Sequence, residues 1–495
     1  MADPSPPREV LRRTRGICNT CLEDVPAEVV ITEGVARLEK HCPEHGTSVQ
    51  LLSRAPDYWR EVDRFYFQVN SERYTQRDYL LRLTESCNLD CPICLAKANT
   101  EETEDLDLTG IEPLLKEKRH IKLDFMAAEP TVRKDLVDWV KKAKDAGHLT
   151  ALHTNGLRIA DLSFARRMKE AGFDEVFLQF DGFDEEANRI LRGRPLLDIK
   201  LQALRNLREV GLATSLIVVI GGGINEDQVG EVFRFAMRPE NDHIREVFYL
   251  GLRILGSLRD GLKRKGHDFA ESSLMPDETL DMLEAQVPGI RREDVRVFNK
   301  LYFSLLSTFR VKKCLYVQHY LVLRDGKGGF VPFSDLVNLP SLERVAERFA
   351  SQVREHPRRA KIRFLTDLGL HSANLKMAPV LQEFVRLQLL LRVGMNLEKV
   401  SPHMVLLGFI TACDPYNFDA QVAVNCGKGE VSADGGFVEA GAVANVLRER
   451  RFDRTARTPG ALHPGQEAPP PEAAPADAPA KLRRKPGRPR KKPQA

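Results

Sequence analysis

Between residues 78 and 251 the apolar positions arrive as six short runs: DYLLRLT (78–84), IKLDFM (121–126), LTALHTN (149–155), EVFLQF (175–180), TSLIVVI (214–220) and EVFYLG (246–251). Runs this short and this rich in branched and aromatic residues have the look of strands covered on both faces. Between them the apolar spacing changes to three and four. Leu162, Phe164, Met168 and Ala171 fall on one helical face, as do Ile199, Leu201, Leu204 and Leu207, which predicts helices over 161–171 and 198–210. Two periods in alternation predict repeated βα units and an α/β fold, an open doubly wound sheet or a complete or partial barrel. In either case the chemistry sits at the C-terminal ends of the strands.

The flanks read differently. Residues 1–72 form a small module with one β-like segment, AEVVITEGVARLEK (27–40), and too little apolar surface to fold unaided. Residues 73–300 hold the βα units. Residues 301–451 read as an α+β extension, with strand-like HYLVLRDGKGGFVPF (319–333) and a helical stripe of Val380, Phe384, Leu387 and Leu391 near 380–393. Residues 452–495 are expected to be disordered, a Pro/Ala-rich spacer (ALHPGQEAPPPEAAPADAPA) running into a basic terminus.

Composition narrows the class. With 42% hydrophobic and 29% charged residues the chain is globular rather than disordered, and no apolar run reaches the eighteen or so residues of a membrane span. The start, MADPSPPREVLRRTRG, has no leader-like apolar core, so a cytoplasmic protein is expected. Net charge is +4, but residues 481–495 carry eight Lys and Arg and no acid, which leaves the remainder at −4. The basicity belongs to a tail.

Nine cysteines is an odd number, and six of them crowd into two N-terminal stretches, which favours metal ligation over a disulfide framework. Cys18-x2-Cys21 and Cys42-x2-His45 are two ligand pairs about twenty residues apart, the spacing of zinc ribbons and rubredoxin-like iron sites. A histidine as the fourth ligand favours zinc, with iron as the alternative and His41 as a rival ligand. Cys87, Cys91 and Cys94 put three thiols within eight residues, just after the first strand. Three soft ligands with no fourth nearby suit an iron–sulfur cluster that keeps one iron open.

TESCNLDCPICLAKAN, at the end of the first strand of a βα array, resembles the signature of the radical S-adenosylmethionine (radical SAM) superfamily. That resemblance implies a partial (β/α)6 barrel and a [4Fe–4S] cluster on Cys87, Cys91 and Cys94. S-adenosyl-L-methionine would bind the open iron and be cleaved reductively to a radical that abstracts hydrogen, leading to methylation or carbon–carbon bond formation. It also implies an electron donor such as flavodoxin or ferredoxin. FMAAEPTVRKDL, HTNG, LQFDG, ILRGRPLLDIK and VVIGGGINEDQVG extend the likeness towards the branch of tetraether-lipid synthases and pterin methyltransferases. From it Glu129 is expected at the cofactor ammonium, while Gln179 and Asp181, at a strand end facing the barrel mouth, are candidates for contact with cofactor or substrate. The chain departs from the family at Ala127-Ala128-Glu129-Pro130, where the relatives carry Gly-Gly-Glu-Pro, and it keeps only Cys314, Cys413 and Cys426 where they supply auxiliary-cluster cysteines. Finally, Arg483 to Lys492 resembles an AT-hook. Arg484, Lys485, Gly487, Arg488, Pro489 and Arg490 would lie in the minor groove of A·T-rich DNA and associate the protein with the nucleoid. A second reading is therefore a DNA-associated protein that keeps the barrel and has lost catalysis.

Overall fold

The computed structural model describes residues 8–70, 76–99, 105–118, 120–259, 261–264, 267–371, 401–431, 437–438 and 441–452. The expected helix at 380–393 and the basic segment 484–490 lie outside them.

β1 (Glu9–Ile17), β2 (Asp24–Thr32), β3 (Val35–Cys42) and β4 (Gly46–Ser53) make an antiparallel meander in that order. The segment expected to be β-like is its central hairpin. Glu33 and Gly34 both have positive φ, 51° and 74°, the turn whose twist matches that of the strands it joins. A helix, Pro56–Val69, follows.

The six apolar runs become β5 (Asp78–Arg82), β6 (Lys122–Met126), β7 (Leu149–Thr154), β8 (Glu175–Gln179), β9 (Ala213–Ile220) and β10 (Ile244–Gly251). They lie side by side in chain order, every pair parallel. The expected helices are Leu162–Ala171 and Leu197–Glu209. Asp161 caps the first by accepting from the Ser163 amide, and Gly172 ends it at φ +108°. Strand interiors such as Leu81, Leu123, Phe125, Leu152, Val176 and Leu216 are fully buried.

The later residues extend this sheet at both edges. β11 (Lys263–Arg264) and β12 (His267–Asp268) form a separate hairpin. β13 (Val317–Arg324), β14 (Phe330–Val331) and β15 (Met404–Thr411) continue the sheet beyond β10, with β15 parallel to β10 and antiparallel to β13. On the other edge β16 (Gly429–Val431) runs parallel to β5 and pairs with β17 (Phe437–Val438). Among the described residues the sheet has eleven strands. The N-terminal module rests on the turn after β15: Thr14 Oγ1 donates to Asp419 at 2.7 Å, and the buried Lys40 ammonium donates to the carbonyls of Ile17 (2.8 Å) and Pro415 (2.7 Å). Among the described residues no helix is long and apolar enough to cross a membrane.

Candidate active site and metal centres

A cavity of about 300 Å³ opens at the C-terminal ends of β5 to β10, and Cys87, Cys91 and Cys94 all line it. The loop that carries them turns backbone N–H groups onto sulfur: Leu89 N donates to Cys87 Sγ at 3.3 Å and Ala98 N to Cys94 Sγ at 3.4 Å. The Arg192 guanidinium also donates to Cys91. Burial pushes the free Cys87 thiol up to about 12, so a bound metal must displace its proton.

The wall beside the cysteines is where the family departure lies. Ala127 has φ +69°, the left-handed region, and lines the cavity with Ala128, whose φ is not positive. A Cβ there costs on the order of 1 kcal/mol relative to glycine. Ala127→Gly is accordingly expected to raise the unfolding free energy by up to about 1 kcal/mol, and Ala128→Gly is expected to give no such gain, both read as denaturation midpoints.

Glu129 lies behind this wall, fully buried and not among the side chains that line the cavity. Its Oε1 accepts from Thr131 N (3.2 Å), Thr131 Oγ1 (2.6 Å) and Thr154 Oγ1 (2.8 Å), and its Oε2 from Asn155 N (2.7 Å). Asn155 in turn points Nδ2 at Asn88 Oδ1 (2.7 Å) and at Cys87 Sγ (3.8 Å). The carboxylate thus clamps the β7 turn against the cysteine loop. Asp181 is also buried, bidentate to Arg192 (2.6 and 3.0 Å) and accepting from Val219 N at 3.0 Å. Gln179 does line the cavity, donates to Asp181 and receives the buried Lys200 ammonium on its backbone carbonyl at 2.8 Å. Burial lowers Lys200 to about 7.

Cys18, Cys21, Cys42 and His45 bring their ligand atoms within 4.8 Å of one another. His45 Nδ1 stands 3.4 Å from Cys42 Sγ and 3.8 Å from Cys18 Sγ, and Cys21 Sγ is 3.9 Å from Cys42 Sγ. His41, the rival, is turned away to Thr47 Oγ1 at 3.1 Å. One metal ion per chain is expected at this module. Cys42→Ser should lower its occupancy on elemental analysis and destabilise the module by several kcal/mol, whereas His41→Ala should leave occupancy unchanged.

Cys314, Cys413 and Cys426, scattered in sequence, come near one another: burial raises the Cys314 and Cys413 thiols, with a further rise from Cys426 on Cys314 and from Cys314 and Cys426 on Cys413. Gly221 to Gly223 form a turn outside the cavity lining, with Gly221 N bound to Asn225 Oδ1 at 2.9 Å. Arg82, His153, Asn155, Phe177, Arg192 and Arg253 line the cavity but were not among the expected site residues. HTNG at the end of β7 contains His153 and Asn155, ILRGRPLLDIK contains Arg192 at the end of the helix Glu185–Arg192, and Phe177 stands two positions before LQFDG's glutamine, so four of them lay in or beside segments the sequence singled out.

Residues 81–236 match the model of the radical SAM superfamily, and residues 10–54 that of the HMPTM N-terminal zinc ribbon domain. A 7,8-dihydro-6-hydroxymethylpterin dimethyltransferase of Methanocaldococcus jannaschii is 26% identical over 459 residues, 84% of this chain and 90% of that protein. A probable GTP 3′,8-cyclase of Pyrococcus abyssi is 27% identical over 178 residues, 35% of this chain, and the match spans 55% of its own length. Streptococcus suis SuiB bound to S-adenosylmethionine aligns at 17% identity over 43% of this chain and 47% of that one, with a TM-score of 0.35.

Proposed function

From a chain whose residues 81–236 are a radical SAM domain and residues 10–54 a zinc ribbon, we propose a radical SAM enzyme that methylates a flat nitrogen heterocycle of the dihydropterin kind. The observation that carries this reading is that Cys87, Cys91 and Cys94, from one short loop, all line a single cavity at the C-terminal ends of the strands. Cys87, Cys91 and Cys94 would hold [4Fe–4S]. When bound with S-adenosyl-L-methionine under reduction, that pair supplies a carbon radical able to take hydrogen from an unactivated C–H bond.

The chain's own residues prepare the site. Burial raises the Cys91 thiol, and Arg192, fixed by Asp181, opposes that rise with positive charge beside the sulfur. Glu129 fixes Thr154 and Asn155, and Asn155 reaches Cys87. Leu89, Ile93, Ile217, Val219 and Leu252 give the cavity apolar walls that keep water from a reactive intermediate. The N-terminal module would hold zinc or iron on Cys18, Cys21, Cys42 and His45. Reconstitution without oxygen, followed by reductant, S-adenosyl-L-methionine carrying a labelled methyl group, and 6-hydroxymethyl-7,8-dihydropterin, tests the proposal. Label from a second S-adenosyl-L-methionine is expected in the pterin, since the molecule cleaved to 5′-deoxyadenosine keeps its methyl on methionine; 5′-deoxyadenosine formed beside a pterin of unchanged mass that has lost no hydrogen would refute the substrate class.

The strain at Ala127 favours a second reading, a barrel that keeps its cluster but has weakened cofactor binding and serves DNA through its basic tail. Under it, deleting residues 481–495 abolishes salt-sensitive retention on A·T-rich duplex; retention that survives the deletion would exclude the hook.

A further inference from the structure

The cavity's lining contains no Asp, Glu, Lys or Tyr among the described residues, its three thiols are the ones that would hold the cluster, and its arginines stay protonated. His153 is left as the side chain there able to take a proton near neutral pH. Its ring is held face to face with Phe177, centroids 4.3 Å apart and planes 5° from parallel, and 27% of the side chain is accessible. The inner nitrogen, Nε2, is buried and stands 3.8 Å from Asp124 Oδ2, a distance at which such pairs sit before substrate closes the site.

Asp124 is fully buried on β6 and stays ionised. Lys122, from the same strand, lies 3.6 Å away, and Lys428, which precedes β16, donates to it. Around them Asp78 on β5 accepts from Lys428 at 2.6 Å, Glu175 on β8 pairs with Lys122, and Glu246 on β10 accepts from Ser215 on β9 at 2.7 Å. A permanently anionic Asp124 favours the Nε2–H tautomer, which leaves the Nδ1 lone pair for the cavity. Burial lowers the ring's pKa, Lys122 and Lys428 add to that, and Asp124 opposes it, so the imidazole is neutral at pH 7.

We propose that His153 is the general base of the cavity, with Asp124 as its positioning residue, and that the substrate presents a ring N–H or lactam N–H to it. The proton passes to Nδ1, the electron pair stays on the heterocycle nitrogen, and Asp124 steadies the imidazolium through Nε2–H. No electrons change hands. This rests on the cavity being the reaction site for a nitrogen heterocycle.

Two measurements on the full, reconstituted chain test it. With 6-hydroxymethyl-7,8-dihydropterin as probe, wild-type kcat is expected to rise with pH as His153 loses its proton. His153→Gln should lower kcat by about 10²- to 10⁴-fold with KM little changed and remove that limb, and Asp124→Asn should shift it. Histidine-selective ¹⁵N spectra, assigned by the resonance missing in His153→Gln, are expected to show a neutral Nε2–H tautomer at pH 7 that Asp124→Asn disturbs. A His153→Gln enzyme with an unchanged pH profile, or one altered in KM alone, overturns the proposal, as does a ring already protonated at pH 7. If wild type ignores the pterin while the spectra show the Asp124-linked tautomer, the pterin class falls and the poised base stands.

Discussion

Cys91→Ala is expected to bring 5′-deoxyadenosine formation down by at least about 100-fold, since even outer-shell changes at metal sites reach that loss. The argument is one of counting. Three thiols line the cavity, and no fourth cysteine or carboxylate among its described lining residues can step in for a missing one. Cys91 is also the thiol that meets Arg192, so the substitution leaves that guanidinium and Asp181 facing an apolar methyl. The check is anaerobic reconstitution with iron and sulfide, then iron content, visible charge-transfer absorption and product from S-adenosyl-L-methionine, side by side with wild type. Loss of colour and of product together is expected. Full activity from the substituted chain would mean the cluster lies elsewhere, and the meeting of Cys314, Cys413 and Cys426 gives that outcome a place to look.

How much of this could be read from the sequence depended on whether the signal was local. The six strands were legible because each is a short, largely apolar run, and their chain-order pairing is that of successive βα units. The knuckle was legible because its four ligands sit in two tight pairs. Two things were hidden. Residues after 300 gave no hint that β15 and β16 would extend the sheet at opposite edges, because strand pairing across some 350 residues, as between β5 and β16, leaves no local pattern. The charged layer beneath His153 was hidden as well: Lys122 and Asp124 on β6, Glu175 on β8 and Glu246 on β10 sit inside largely apolar runs, and only the parallel register brings them together. Glu129 was found by resemblance, and its position shows what resemblance leaves open. The residue stands at the expected strand end, yet its carboxylate is spent on the turn that carries Thr154 and Asn155.

That placement makes Glu129 the site of the largest stability effect expected here. Glu129→Ala removes the acceptor for four donors in a fully buried position, two of them backbone amides. Each donor left unpaired costs about 1–3 kcal/mol, and local relaxation or an entering water recovers part of the sum, so a loss on the order of 3–5 kcal/mol is expected. Glu129→Gln separates stability from site geometry. Three donors converge on Oε1, so the amide oxygen takes that position and the NH₂ group is forced against Asn155 N. The expected stability loss is then smaller, about 1–3 kcal/mol, but Asn155 is released and with it the contact from Nδ2 to Cys87. Cluster retention after reconstitution should therefore fall in Glu129→Gln well before the fold does, measured as iron per chain at a temperature where circular dichroism still reports native protein. Equal iron content in Glu129→Gln and wild type would show that the clamp holds the turn without supporting the cysteine loop.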